Sequence, residues 1–240
     1  MMNTTIKMSS LNFNRALFLF IGCCLSTLNA NANDDLVDGH PRISGVWQVT
    51  KYETGIRTVD GRLPPLTVEG EKIYQKNLVE MKGLKPRNDM TRCVPSGTPR
   101  VMWAPFPTMI LQTARKITFV HEYLHQLRHI YMDEPLPNMD DIELSFMGES
   151  VGHWDGDTLV IETIGFHKMT TLDREGMPHS PNMKLTERVR LIDDGKHLED
   201  VMVIDDPETY KTPWTARVVF ERKPNTQLEE YNCLKKYEDF

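Results

Sequence analysis

The sequence predicts an all-β protein: an antiparallel β-barrel with one or two short helices. Three observations lead there. Two Asp-Gly pairs, Asp155-Gly156 and Asp194-Gly195, each lie between alternating apolar and polar segments, which is a strong hairpin signal. Several segments, such as "DTLVIETI" at 157–164, are apolar on both faces and need covered edges, as a barrel or sandwich supplies. No strand–helix–strand alternation or internal repeat occurs, which excludes a doubly wound parallel sheet.

The elements follow in order. Residues 1–32 carry Lys7 and Arg15, then the apolar run "ALFLFIGCCLSTL", then Ala30-Asn31-Ala32, with no acidic residue before Asp34. This is the pattern of a cleaved signal peptide, too short to persist as a membrane span. The expected mature domain is 33–240, a single barrel, periplasmic or secreted; a lipid anchor on Cys23 is the alternative. Cleavage removes two basic residues, leaving 26 basic against 34 acidic, a net charge of −8. No basic patch interleaved with aromatics occurs, so nucleic acid is not an expected partner.

"ISGVWQVTKYE" alternates as a first strand. "DGRLPP" is turn chemistry, and "TVEGEKIYQKNLVEMKGL" predicts the one clear helix, with Ile73, Leu78, Met81 and Leu84 as its apolar positions. Seven or more strands are expected in all, most of them beyond the Pro-rich loop ending near Pro107. "KITFVHEYLHQLRHIYMD" reads as one long bent strand, or as two with a tight turn near Leu124-His125. After the acidic loop "DEPLPNMDDIE" come the two Asp-Gly hairpins, separated by the irregular stretch 167–182.

Two resemblances add to this. "SGVWQV" resembles the Gly-x-Trp signature that opens the first strand of lipocalins. The resemblance implies a lipocalin-like architecture, with Trp47 plugging the closed end against an Arg from late in the chain; Arg217 and Arg222 are available. Across most of the mature chain, "RCVPSGTPR", "SVGHWDGDTLVIETIGF", "LDREGMPHS", "LTERVRLID" and "IDDPETYKTPW" look like blocks of a large set of secreted bacterial proteins of uncharacterised function. They bring no known reaction.

Candidate chemistry therefore comes from the residues. Of four cysteines, Cys93 and Cys233 remain after cleavage and are expected to pair in an oxidising compartment, two separate buried thiols being the alternative. His121, His125 and His129 lie four apart, which suits zinc on a helix. Their β-branched and aromatic neighbours predict a strand, where the spacing is about 13 Å per four residues and too wide for one ion. No metal and no cofactor are expected, and the three histidines are placed on an exposed polar face.

Period-two alternation puts Glu122 and Arg128 on the other face, pointing inward with Val120, Leu124 and Ile130. They are either a structural ion pair or a ligand-orienting one. Glu187 alternates with Leu185, Val189 and Leu191 and is also expected inside, where desolvation raises a carboxyl's pKa towards useful acid–base range. His179 and Asp173 fall on the irregular connection, at the expected barrel mouth, as an acid–base pair; the alternative is a turn and a strand cap. Glu162 and His167 complete the candidates as ligand contacts, with Trp154 a packing anchor and His153 exposed.

"GESVG" at 148–152 spells a nucleophile elbow but sits in a strand, the wrong context. Its small residues Gly148, Ser150 and Gly152 instead suggest close approach of another element or a ligand. Two functions remain open: a cofactor-independent enzyme doing acid–base chemistry of a lyase, isomerase, hydratase or cyclase type on a lipophilic or aromatic molecule, or a binding protein for a small hydrophobic ligand.

Overall fold

A computed structural model describes residues 36–83 and 94–231. The expected signal peptide, Cys93 and Cys233 lie outside the described residues.

The chain forms one closed barrel of nine strands, β3 to β11. They are β3 (Gly45–Val49), β4 (Thr108–Gln112), β5 (Lys116–His121), β6 (Gln126–Met132), β7 (Glu149–Asp155), β8 (Thr158–Ile164), β9 (Lys184–Ile192), β10 (His197–Asp205) and β11 (Trp214–Arg222). A two-stranded hairpin, β1 (Leu36–Val37) with β2 (His40–Pro41), precedes them. Neighbours in sequence are neighbours in the wall, and β11 closes the ring by pairing with β3 through Phe220↔Val49, Glu221↔Gln48 and Arg222↔Trp47.

The expected barrel is thus present, with one correction: the wall is mixed rather than antiparallel. β6 and β7 run parallel, paired only through Ile130↔Ser150, Tyr131↔Val151 and Met132↔Gly152. The cause is the connection 133–148, which carries the chain back along the barrel before β7 begins. Parallel neighbours need such a crossover. At the seam the small residue Gly152 is required by space: a Cβ there would sit 2.8 Å from the Ile130 side chain.

The histidine-rich stretch is two strands, with the turn at Glu122–His125. Leu124 and His125 take φ of 58° and 49°, the left-handed region unusual for such residues. This turn resets the alternation. In β5 the inward residues are Ile117, Phe119 and His121; in β6 they are Gln126, Arg128, Ile130 and Met132.

One end, the base, is closed by Trp47. Its indole Nε1–H donates to the Ile43 carbonyl at 2.8 Å. The Arg222 guanidinium lies over the ring at 4.2 Å and donates to the carbonyls of Ser44 (3.0 Å), Gly195 (3.0 Å) and Arg42 (3.3 Å). Arg222 is therefore the late arginine at the Trp plug. Arg217 instead shares Glu199 with Arg190 on the outer wall, at 2.7 and 2.6 Å. Gly45 fits this corner because a side chain would meet Arg222 at 3.1 Å, and its φ of 138° disfavours one.

The other end, the mouth, is roofed by helix α1 (Val68–Gly83) and the segments 50–67, 94–107, 165–183 and 206–213. Thr67 caps α1, its hydroxyl accepting the Gly70 amide at 3.0 Å, and Glu69 and Glu71 sit favourably in the first turn. Of the expected apolar positions of α1, Leu78 packs against the core but Ile73 does not. Ile73 is 42% exposed, whereas Tyr74 is buried and Gly70 packs so tightly that a Cβ would lie 2.4 Å from the Thr209 carbonyl. Asn77 donates to the Gly176 carbonyl at 2.7 Å, fastening the helix to the roof. Met81 and Leu84 have no described side chains.

The core runs without a break from the barrel, through residues such as Phe119, Ile161, Leu185 and Met202, into the roof, through Ile56, Trp103, Phe166, Met177 and Tyr210. No helix among the described residues is long and apolar enough to cross a membrane.

Candidate functional site

Polar side chains gather in two places: inside the barrel, and in a cleft where the roof meets the wall.

Inside, Arg128 on β6 is fully buried, as is Glu187 on β9. Nη1 of Arg128 donates to Glu187 Oε1 at 2.8 Å and Nη2 to Oε2, a bidentate pair. Two further donors are used: Nη2 reaches Thr163 Oγ1 at 2.7 Å and Nε reaches Ser150 Oγ at 3.2 Å. Phe119 lies 5.9 Å below the guanidinium. The small face noticed at Gly148, Ser150 and Gly152 thus receives a charged side chain from β6.

Asp200, on β10, is the third charged member of this interior. Burial raises its carboxyl well above the usual range, and the adjacent Glu187 carboxylate raises it further. His121 is buried on the inner face as well, contrary to the exposed position expected for it, because it precedes the parity-changing turn. Its Nδ1 bonds the Thr108 hydroxyl at 2.9 Å, and burial, then the charge of Arg128, depresses its pKa to about 3. His121 is accordingly neutral. His129 and His125 do face outward. Among the described residues no cluster of three or more His, Cys, Asp and Glu is placed to hold a metal ion.

Glu122 is not inside. It opens the β5–β6 turn and accepts the Glu229 amide at 2.9 Å. Leu124 shares that turn rather than the inner face.

Asp173 and His179 do lie in the roof, but the structure does not bring them together. Asp173 is buried and accepts two backbone amides, Ile56 at 2.8 Å and Met177 at 2.9 Å. Burial raises its pKa against the pull of those amides. His179 has both ring nitrogens engaged, with the Thr170 hydroxyl at 2.6 Å and the Ser180 carbonyl at 2.8 Å. Burial lowers its pKa, opposed by Ser180 and Asp206. Both residues tie loop backbone together.

Glu162 pairs with Lys184 on the outer wall. His167 stacks on Phe146 at 5.0 Å. Trp154 is half-buried and stacks on His40 at 4.9 Å, so it is indeed an anchor, and His153 is exposed.

The cleft was not legible beforehand. It leaves about 40 Å³ open to a water-sized molecule and is lined by Tyr52, Trp103, Phe106 and Tyr123 with Arg100, Arg174 and Asp173 among the polar residues. Phe106 and Tyr123 stack at 5.2 Å. The Arg174 guanidinium lies 6.0 Å over Tyr52 and hydrogen-bonds its hydroxyl. Of the candidates read from sequence, only Asp173 reaches this cleft.

Fold and site together define a closed, mixed nine-strand barrel with a buried ionic core and an aromatic cleft at its mouth. No protein-family model and no curated protein matches the chain.

Proposed function

We propose that this chain is exported and that its mature barrel binds a small aromatic molecule in the mouth cleft. One observation carries the reading. Four aromatic side chains from three separate segments converge on one concavity with two arginines beside them. Such a site offers stacking faces for a planar ligand and a charged edge to orient it. The barrel interior, where a lipocalin-like binder would hold its ligand, is instead occupied by Arg128, Glu187 and the apolar core.

A second reading, acid–base catalysis on the same molecule, is favoured by Asp173 alone. It borders the cleft, and its raised pKa suits proton transfer nearer neutrality than an ordinary carboxylate. Export, pairing of Cys93 with Cys233, and likeness to the secreted bacterial set belong to the same proposal and rest on the sequence patterns.

The test is titration with 1-anilinonaphthalene-8-sulfonate, a planar aromatic anion, followed by dye emission and by Trp quenching. Saturable one-to-one binding is expected, weakened about tenfold in Phe106→Ala with the melting temperature little changed. Equal affinity in that variant places the ligand elsewhere and defeats the proposal. Once a natural ligand is recovered, incubation followed by mass spectrometry separates the readings: unchanged ligand supports binding, a product of the same or water-shifted mass supports catalysis.

A further inference from the structure

We propose that the barrel interior is a proton-binding site: one proton is shared by Asp200 and Glu187, with Asp200 as the protonated member. The geometry is as follows. Glu187 lies opposite Ile161 and Met202, while Asp200 lies opposite Val189 and Val218. The two carboxyls are therefore diagonal neighbours on one inner face, within reach of each other. Both are fully buried.

The charged donor nearest them is Arg128. Arg128 gives its guanidinium to Glu187, Thr163 and Ser150. Ser150 and Thr163 also bond each other at 2.9 Å. Among the described residues, nothing donates to either oxygen of Asp200. An ionised carboxyl offers only acceptors, so two ionised groups here would face each other with no hydrogen between them. A buried charge without a partner costs more than any other arrangement open to the group. One proton resolves both difficulties: Asp200 becomes a donor to Glu187, and the interior holds one cation, one anion and one neutral acid.

Among the described residues, the other titratable groups on the inner face are His121 and Arg128. The inner face of β5 presents Phe119 and a neutral His121, β6 presents Arg128, and β8 presents Ile161 and Thr163. β9 adds Leu185 and Val189 to Glu187, and β11 presents Ala216 and Val218. Glu199 adjoins Asp200 in sequence but faces outward, matched by Arg190 and Arg217.

The proton binds reversibly, a carboxylate plus a proton giving the acid, and at neutral pH the folded chain binds it while an unfolded carboxyl does not. A carboxyl whose folded pKa lies above its unfolded value contributes stability that is complete below the unfolded pKa. That stability is lost as pH rises through the folded pKa.

The experiment compares native protein with Asp200→Asn, whose amide reproduces the shape and the donor of a protonated acid. In infrared difference spectra at neutral pH, native protein should show one extra carbonyl band of a protonated carboxyl, shifted in D2O and absent from the variant. The melting temperature of the variant minus that of native protein should rise between about pH 5 and pH 8. Absence of the band, or a difference independent of pH, overturns the proposal. So does failure of Asp200→Asn to fold, because a protonated acid is what asparagine best replaces.

Discussion

Arg128→Met should lose about 3–5 kcal/mol of unfolding free energy, the usual consequence of removing one partner from a buried ion pair. For a domain whose whole stability is on the order of 5–15 kcal/mol, that can decide whether it folds at body temperature. The loss has an identifiable source. Without the guanidinium, Glu187 is left as an anion in the barrel centre, and Ser150 and Thr163 lose a shared donor. The variant that restores stability is therefore not one that adds charge. Arg128→Met combined with Glu187→Leu and Asp200→Leu removes the whole ionic set and should recover most of the loss, because apolar groups of similar volume often replace buried pairs without penalty. Urea denaturation of the single and triple variants measures both. A single variant within about 1 kcal/mol of native protein would show that the pair is not holding the interior together.

Trp47→Ala is the second large effect, expected at about 3–5 kcal/mol, the range for deleting a buried aromatic side chain. Trp47 is 1% exposed and fills the base. Its removal also strips the Arg222 guanidinium of the ring beneath it and the Ile43 carbonyl of its donor. Arg222→Lys should not be neutral either. A lysine cannot spread over the indole face while serving carbonyls of residues 42, 44 and 195 at once. Chemical denaturation of Trp47→Ala, Trp47→Phe and Arg222→Lys gives the ranking. Trp47→Phe more stable than the native chain would remove the base plug from the account.

The barrel was legible in the sequence wherever local chemistry dictates geometry. Asp155-Gly156 turns β7 into β8, and Asp194-Gly195 lies in the turn from β9 to β10, as Asp-Gly pairs favour. Period-two alternation correctly sent Arg128 and Glu187 inward. The same rule, applied to Leu198, Asp200, Met202 and Ile204, also sends Asp200 inward. Three things were not legible. The turn at Leu124-His125 uses two residues that seldom adopt left-handed backbone, so nothing local announced the change of parity that frees Glu122 and buries His121. The parallel seam depends on the path of the 133–148 crossover, which is a tertiary matter. The aromatic cleft draws on residues near positions 52, 103–106 and 123, and no pattern along the chain links them. His179 and Asp173 were correctly placed in the roof, but their hydrogen bonds to neighbouring backbone and a hydroxyl are invisible without coordinates.

The ring is sealed where β11 meets β3, so its first and last strands are partners. In time, this means the wall cannot be completed until β11 has been delivered. Every other pairing joins strands adjacent in the sequence and can form as they arrive; the last one must wait for residues 220–222 to reach residues 47–49. Until then both terminal strands carry unpaired edges, the kind of surface that recruits another chain. A chain that emerges amino end first would hold that open state until β11 has emerged.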